Sequence, residues 1–333
     1  MEKNHQDRGH ALLSASGADR WINCTPSVRI EEVIEKGTST YAEEGTLAHE
    51  FADLYLCKFN NQITESQYKK QVSELKKNKL YKKEMDSFVE QYTSYVIESF
   101  NVSKKENGAT ELFIEQKLDF SEYAPDGFGT GDASIVSDNV LEIIDLKYGR
   151  GIKVEAENNS QLKLYALGAL AAFDLMYDIK TVKLTIVQPR RDSISIWETS
   201  VEDLREWGNY IVKPAAAKAF DGLGDQKAGK WCRWCGVKAS CAALKNKALK
   251  LAQLEFSQPE LLTDEEILEG FNQRETVSIW LKAVQEHVFN TALKGKKWEG
   301  LKLVAGRSNR KWLDEDSVFD TLLMHAARAV GKL

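Results

Sequence analysis

Two neighbouring segments, residues 128–136 and 140–148, constrain this 333-residue chain more than any other feature of its sequence. Both have the composition of β-strands, and the Ser-Asp-Asn tripeptide at 137–139 is typical of a tight turn, so together they predict an antiparallel hairpin. A turn centred on that tripeptide places Asp132 directly opposite Asp145. Side chains of opposite residues lie about 4.5–5.5 Å apart on the same face of a sheet, so the two carboxylates are expected to converge.

The same hairpin carries a lysine on the acidic face. Side chains alternate along a strand, so Lys147 shares the face of Asp145, while Ile144 and Leu146 occupy the opposite face and suit a core. Two adjacent carboxylates repel each other unless a cation or a proton neutralises them, and Mg²⁺ is a common solution. A neighbouring lysine could orient or deprotonate an attacking water and stabilise charge on a phosphate. The spacing alone is equally compatible with a salt-bridge cluster of Asp132, Asp145 and Lys147.

The order of the predicted elements indicates an α/β core. Strands are predicted at 111–120, 182–188 and 194–199 in addition to the hairpin, with an apolar helix over 161–176 between the hairpin and the last two strands. Helices are also predicted on both sides of this region. This arrangement is typical of a mixed sheet flanked by helices.

Composition narrows the function classes. The chain has 45 Lys+Arg, 50 Asp+Glu and a net charge of −5, which argues against a uniformly basic nucleic-acid binder. It contains no apolar stretch of about 20 residues, and its first ten residues lack the apolar core of a signal peptide, so a cytoplasmic location without membrane association is expected. Two locally basic stretches, 68–83 and 294–311, are candidate DNA-binding surfaces, although a solvated helix face or an exposed basic hairpin explains them equally well.

Three of the five cysteines are close together in the sequence. They are Cys232, Cys235 and Cys241. A tetrahedral zinc site or a cubane iron–sulfur cluster needs a fourth thiolate, and Cys24 is the better candidate because Cys57 lies in an apolar helical stretch. A [4Fe–4S] cluster, zinc and unligated thiols all remain compatible with this set. Trp231 and Trp234 are expected to shield a bound group from water.

Three short motifs resemble the RecB-like branch of the PD-(D/E)XK nuclease superfamily. They are residues 129–132 (GTGD), 143–149 (IIDLKYG) and 161–165 (QLKLY). The resemblance implies a restriction-endonuclease-like core in which Asp132 and Asp145 bind the metal and Lys147 assists catalysis. It also implies that Gln161 and Tyr165, which share one helix face, lie beside the site.

A fourth motif, residues 45–50 (GTLAHE), resembles the upstream helix of that branch, with the helix expected to begin at Thr46. The resemblance then implies a metal site formed by His49, Asp132, Asp145 and the backbone carbonyl of Leu146. Imidazole combined with carboxylates favours Mn²⁺ somewhat more than an all-oxygen site does, so Mg²⁺ or Mn²⁺ is expected. Further candidate ligands are Glu50, Asp53 and Glu115.

The cysteine spacing resembles the iron staple of AddB-type and CRISPR-associated RecB-like nucleases, in which a [4Fe–4S] cluster joins the two ends of the nuclease domain. The resemblance therefore implies Cys24, Cys232, Cys235 and Cys241 as cluster ligands, with zinc as the alternative. The staple would close a loop of about 200 residues.

The resemblance as a whole implies a metal-dependent DNA nuclease of phage or bacterial replication, recombination or repair, most simply an exonuclease. A catalytically silent iron–sulfur DNA-binding protein and a zinc-stapled endonuclease are the alternatives. The implied partners are single-stranded DNA or duplex ends, with a single-strand-binding or recombination protein as a further candidate. The nuclease domain is expected over 11–245 with a helical insertion at 58–105, followed by a mostly helical extension over 246–333 with a basic hairpin. The sequence does not specify an oligomeric state.

Overall fold

Five strands form one mixed sheet, in which they lie side by side in chain order. The computed structural model describes residues 11–32, 34, 40–254 and 263–304. The strands are β1 (Thr110–Asp119), β2 (Phe128–Ser137), β3 (Asn139–Leu146), β4 (Ile179–Gln188) and β5 (Ser193–Ser200). Neighbouring strands are antiparallel except for β3 and β4, which are parallel. The predicted mixed α/β architecture is therefore confirmed.

Helices cover both faces of this sheet. The α-helices of the described residues are α1 (Ala18–Asn23), α2 (Ser27–Glu31), α3 (Thr40–Phe59), α4 (Glu65–Leu75), α5 (Glu84–Asn107), α6 (Ser160–Phe173), α7 (Val201–Trp207), α8 (Lys213–Asp221), α9 (Ala242–Leu254) and α10 (Asp264–Leu293). Helix α6 makes the crossover that the parallel β3–β4 pair requires and packs on one face together with α1, α7 and α8. Helices α3 and α5 pack on the other face.

The central strand β3 is buried on both faces, which differs from the expectation of one core face and one polar face. Leu141 and Ile143 pack into the core beneath α6, whereas Ile144 and Leu146 pack into the core beneath α3 and α5. A strand between helical layers is typically apolar on both sides. The polar site must therefore lie where β3 ends, at Asp145.

The predicted start of one helix is wrong. Helix α3 begins at Thr40, so Thr46 is not its N-cap, and its hydroxyl instead donates to the carbonyl of Ala42 one turn earlier. A π turn over Gly208–Val212 separates α7 from α8, just before Pro214. Residues 301–304, within the predicted basic stretch 294–311, have no regular secondary structure.

The chain divides into two compact units after Ala283. In the second unit, the indole N–H of Trp298 donates to the Thr291 hydroxyl over 3.1 Å, and its ring packs edge-on against His287. The remainder of the predicted basic stretch, 305–311, and the rest of the predicted helical extension up to residue 333 lie outside the described residues. None of the described helices combines the length and apolar composition needed to cross a bilayer.

Candidate functional site

The β2–β3 hairpin has the predicted register. Ala133 pairs with Ile144, and the same register puts Asp132 opposite Asp145 at the open end of the hairpin. The carboxylate of Asp132 accepts a hydrogen bond of 2.7 Å from the backbone N–H of Leu146. Asp132 is therefore fixed against the strand that carries Asp145.

Asp145 is bound into a polar network with the following lysine and helix α6. Its Oδ2 lies 2.8 Å from Nζ of Lys147, and its Oδ1 accepts from Nε2 of Gln161 over 3.1 Å. Lys147 also donates to Oε1 of Gln161 at 3.0 Å, and Gln161 contacts the hydroxyl of Tyr165 at 3.2 Å. The structure thus brings together Asp145 and Lys147 of the 143–149 motif with Gln161 and Tyr165 of the 161–165 motif.

Close packing explains why Gly129 and Gly131 of the 129–132 motif are glycines. A Cβ atom on Gly129 would lie 2.6 Å from Cε1 of Tyr165, and one on Gly131 would lie 2.9 Å from Cδ1 of Leu118. Both distances are below those of real carbon contacts. Only glycine at these positions lets β2 approach α6 and β1 closely enough to hold Asp132 next to the α6 residues.

Donor atoms of His49, Glu115 and Asp132 all lie within 4.8 Å of one another. Nδ1 of His49, on α3, is 3.3 Å from Oδ1 of Asp132. Glu115, on β1, lies between the positions that pair with Ala133 and Gly131, and its φ of 48° is in the left-handed region. Such a conformation costs a non-glycine residue of order 1–3 kcal/mol and is concentrated at functional sites. Glu115 therefore moves from a further candidate to a central member of the group.

A second carboxylate, Asp53, lies against Glu115. Burial, and after it the nearby charges of Glu115 and Asp132, raise the pKa of Asp53 to about 8. Burial and Asp132 also raise the pKa of Glu115, while a hydrogen bond with Asp53 opposes that rise. Both shifts favour a proton held between the two carboxyl groups.

Tyr92, on α5, was not predicted as part of the site. It is 1% exposed and its hydroxyl has no hydrogen-bond partner among the described residues. Burial raises its pKa, and the negative charges of Asp132, Asp145, Asp53 and Glu115 raise it further. A tyrosine on the inner stripe of a helix is indistinguishable in sequence from a core residue, so no local signal marks it.

The donor set fits a hard divalent ion. One imidazole and two carboxylates are ligands that Mn²⁺ and Mg²⁺ accept, and such ions usually retain several waters. The buried hydroxyl of Tyr92 has no hydrogen-bond partner among the described residues, so it has the capacity to bond a water of such an ion.

The charged side chains of the site are paired with one another, His49 with Asp132 and Lys147 with Asp145. Burial alone would lower the pKa of His49, but the charge of Asp132 and the hydrogen bond to it raise that pKa to about 9. Burial opposes the charged form of Asp132 too, yet His49 keeps the pKa of Asp132 below its usual value. Likewise Asp145 outweighs burial and raises the pKa of Lys147, which is an ammonium at neutral pH. A metal ion must therefore displace a proton from His49.

We expect Mn²⁺ affinity to rise about tenfold per pH unit between about pH 6 and 8, because one proton leaves His49 for each ion bound. Calorimetric titration in two buffers of different ionisation enthalpy measures the protons released. The His49→Gln variant is expected to bind more weakly and to release at least one proton fewer. A pH-independent affinity in the unchanged protein would contradict His49 as a ligand.

Glu50 and Leu146 stand apart from this group. Glu50 is exposed on α3 and is not among the described residues whose donor atoms converge. Leu146 contributes its backbone N–H to Asp132, and its carbonyl as a metal ligand stays a prediction.

The four cysteines expected to form a cluster line one small cavity. The N–H of Lys227 points to Sγ of Cys24 at 3.4 Å, although 203 positions separate them, and the N–H of Gly229 points to Sγ of Cys232 at 3.4 Å. Backbone N–H groups directed at sulfur are characteristic of thiolate ligands. Cys235 and Cys241 complete the lining.

The fifth cysteine, Cys57, and the two tryptophans expected to shield the cysteine cavity were also placed by the structure. Burial raises the pKa of Cys57, as do Asp53 and Glu115, so Cys57 lies at the carboxylate group rather than with the other cysteines. Trp231 lines the cysteine cavity as expected. Trp234 does not shield it, because 74% of that residue is exposed.

Fold and site together define a mixed α/β protein with a candidate histidine–carboxylate metal centre and a separate four-cysteine cavity. The chain belongs to the family described as "Protein of unknown function (DUF2800)", whose profile matches residues 10–330. Among solved structures, the chain is similar to "Crystal structure of SSO0001", with 14% sequence identity, 68% of this chain and 96% of that chain covered, and a TM-score of 0.25. A TM-score this low adds nothing to what the site itself indicates.

Proposed function

We propose that the protein is a metal-dependent DNA nuclease with a PD-(D/E)XK core of the RecB-like type. The observation that carries the proposal is the junction of Asp132, Asp145 and Lys147 with Gln161 at the end of β3. A salt-bridge cluster on an exposed face would need neither the buried carboxylate of Asp145 nor the glutamine that links it to Lys147. The additional histidine and glutamate supply a metal-binding set on the same side of the hairpin.

His49, Glu115, Asp132 and Asp145 would hold Mg²⁺ or Mn²⁺ in this proposal. When bound, the ion supplies Lewis acidity towards a phosphate oxygen and lowers the pKa of a coordinated water. The lysine ammonium, held by Asp145 and Gln161, stabilises negative charge that develops on the phosphate and orients the attacking water. Gln161 fixes Lys147 and Asp145 relative to each other, and Tyr165 fixes Gln161.

A [4Fe–4S] cluster is the group we propose for the cysteine cavity. Cys24, Cys232, Cys235 and Cys241 line one cavity, so the four thiolates that either a cubane cluster or tetrahedral zinc requires are together. The resemblance of their sequence spacing to the iron staple supports the cluster over zinc, and anaerobic purification with iron, sulfide and zinc analysis distinguishes the two.

Digestion of DNA labelled at the 5′ or 3′ end tests the proposed activity. We expect Mn²⁺-dependent shortening of a single strand or a duplex that begins at an end, as an exonuclease produces. Cleavage of a closed circle would instead support the endonuclease alternative. Absence of any metal-dependent cleavage, with both metals and all substrates, would leave the alternative of a DNA-binding protein without activity.

A further inference from the structure

The loop between Lys147 and helix α6 carries an exposed arginine three residues after the lysine. This loop, residues 148–159, has one proposed catalytic residue immediately before it and another, Gln161, just inside the helix that follows it. Arg150 lies between two glycines that have open space around them. Its partner Glu84 also contacts Arg190, whose guanidinium lies 4.7 Å from the ring centroid of Tyr148, the residue after Lys147, so Arg150 is near the candidate site.

The loop is held firmly by the end of β4 and the turn after it. Nη1 of Arg191 donates to the carbonyl of Arg150 at 2.8 Å and lies 3.4 Å from the carbonyl of Gly151. The buried Gln188 amide donates to the carbonyl of Ile152 at 2.9 Å and accepts from the N–H of Val154 at 2.7 Å. The backbone that carries Arg150 is thus fixed, although its side chain reaches into solvent.

Within the described part of the chain, the side chain of Arg150 has a single weak contact, with Glu84. Its Nη2 lies 3.4 Å from Oε1 of Glu84, and the two side chains are 58% and 45% exposed. A long ion pair between exposed side chains contributes little and is screened by salt. The almost buried Arg190 also reaches Glu84, at 3.6 Å, so Glu84 keeps a positive neighbour when Arg150 leaves it. Arg150 can therefore exchange Glu84 for another anion at small cost.

We propose that Arg150 binds a backbone phosphate of the DNA strand next to the scissile bond, with Arg191 as the residue that positions it. The planar guanidinium matches a phosphate with two parallel hydrogen bonds. The inference rests on the proposed nuclease function and adds a substrate contact that no motif of the sequence marks. Before DNA binds, the guanidinium of Arg150 forms its ion pair with Glu84, and the phosphate then replaces Glu84.

DNA binding without cleavage tests the contact. Fluorescence anisotropy with a labelled single strand is measured in an Asp145→Asn background, as a function of salt. Loss of one phosphate contact reduces the magnitude of the slope of log affinity against log salt by about 0.7. If the two curves meet at 1 M salt, this corresponds to roughly eightfold weaker binding at 50 mM salt. We expect the smaller slope and the weaker binding for Arg150→Ala, whereas Arg150→Lys restores most of the slope because it keeps the charge.

Two further variants separate the contact from its support. Arg191→Ala is expected to weaken binding in the parent but to add little to Arg150→Ala, because both act through one contact. Arg205→Ala is the matched control. Arg205, on α7, forms a comparably exposed ion pair with Asp174, and the variant should bind DNA as the parent does.

The outcomes distinguish this inference from the proposal beneath it. An Arg150→Ala variant with the affinity and salt slope of a parent that binds DNA overturns the inference alone. A parent that does not bind DNA under any salt condition overturns the inference and the proposed nuclease function together. Equal losses in Arg150→Ala and Arg205→Ala would show a general charge effect and also overturn the specific contact.

Discussion

Replacement of Asp145 by asparagine is expected to lower the rate of metal-dependent DNA hydrolysis at least about a thousandfold. Loss of a metal carboxylate and of the charge that holds Lys147 removes several kcal/mol of transition-state stabilisation, and each 1.4 kcal/mol is a factor of ten in rate. Asparagine has the size of aspartate and can still accept a hydrogen bond from Gln161, so the fold should persist. Initial rates of nucleotide release from end-labelled DNA measure the effect.

Asp138→Asn is the control for that variant. It makes the same chemical change on the same hairpin, but at the exposed turn between β2 and β3. We expect full activity and an unchanged thermal midpoint. Similar activities in Asp145→Asn and Asp138→Asn, with both proteins folded, would remove Asp145 from the catalytic set.

Replacement of Cys24 by serine is expected to cause the largest loss of stability. In the proposed cluster Cys24 would be the ligand that connects residue 24 to the group at 232–241, and a closed loop of about 200 residues restricts the unfolded chain by about 5 kcal/mol in the chain-entropy description. The variant should lose bound iron and sulfide and unfold at a much lower denaturant concentration. Iron analysis and denaturant unfolding under anaerobic conditions measure the two effects.

Cys57→Ser is the matched control, because Cys57 lies beside Asp53 and Glu115 instead of in the cysteine cavity. It should keep its iron and most of its stability. If Cys24→Ser retained the full iron content and the unfolding midpoint of the unchanged protein, Cys24 would not be a ligand. Zinc in place of iron in the purified protein would support the zinc alternative.

The hairpin could be predicted in detail because its determinants are local. Turn formers at 137–139 fix the register, and the register fixes that Asp132 lies opposite Asp145. By contrast, the start of α3 at Thr40 could not be predicted from N-capping residues such as Thr46. Gly45 disfavours helix by about 1 kcal/mol, but burial of Leu47, Ala48 and Phe51 against the sheet stabilises the whole helix.

The remaining members of the site depend on packing over long distances in the chain. Glu115, Asp53 and Tyr92 meet only because α3 and α5 dock on the same face of the sheet beside β1 and β2. No spacing rule relates residues on three such elements. Tyr92 and Asp53 also resemble ordinary helix residues in sequence, and the left-handed backbone of Glu115 becomes visible only in the folded strand pair.

In the proposed function, a divalent ion held by His49, Glu115, Asp132 and Asp145 drives DNA hydrolysis. The most direct test of this proposal is a Mn²⁺ titration in which bound metal, by electron paramagnetic resonance, and hydrolysis of labelled DNA are recorded on the same samples. The account predicts that both half-saturate at the same concentration, that both shift to higher concentration in Glu115→Gln, and that chelation abolishes cleavage. Hydrolysis that persists in chelator, or that is unchanged in Glu115→Gln while metal binding is lost, would contradict it.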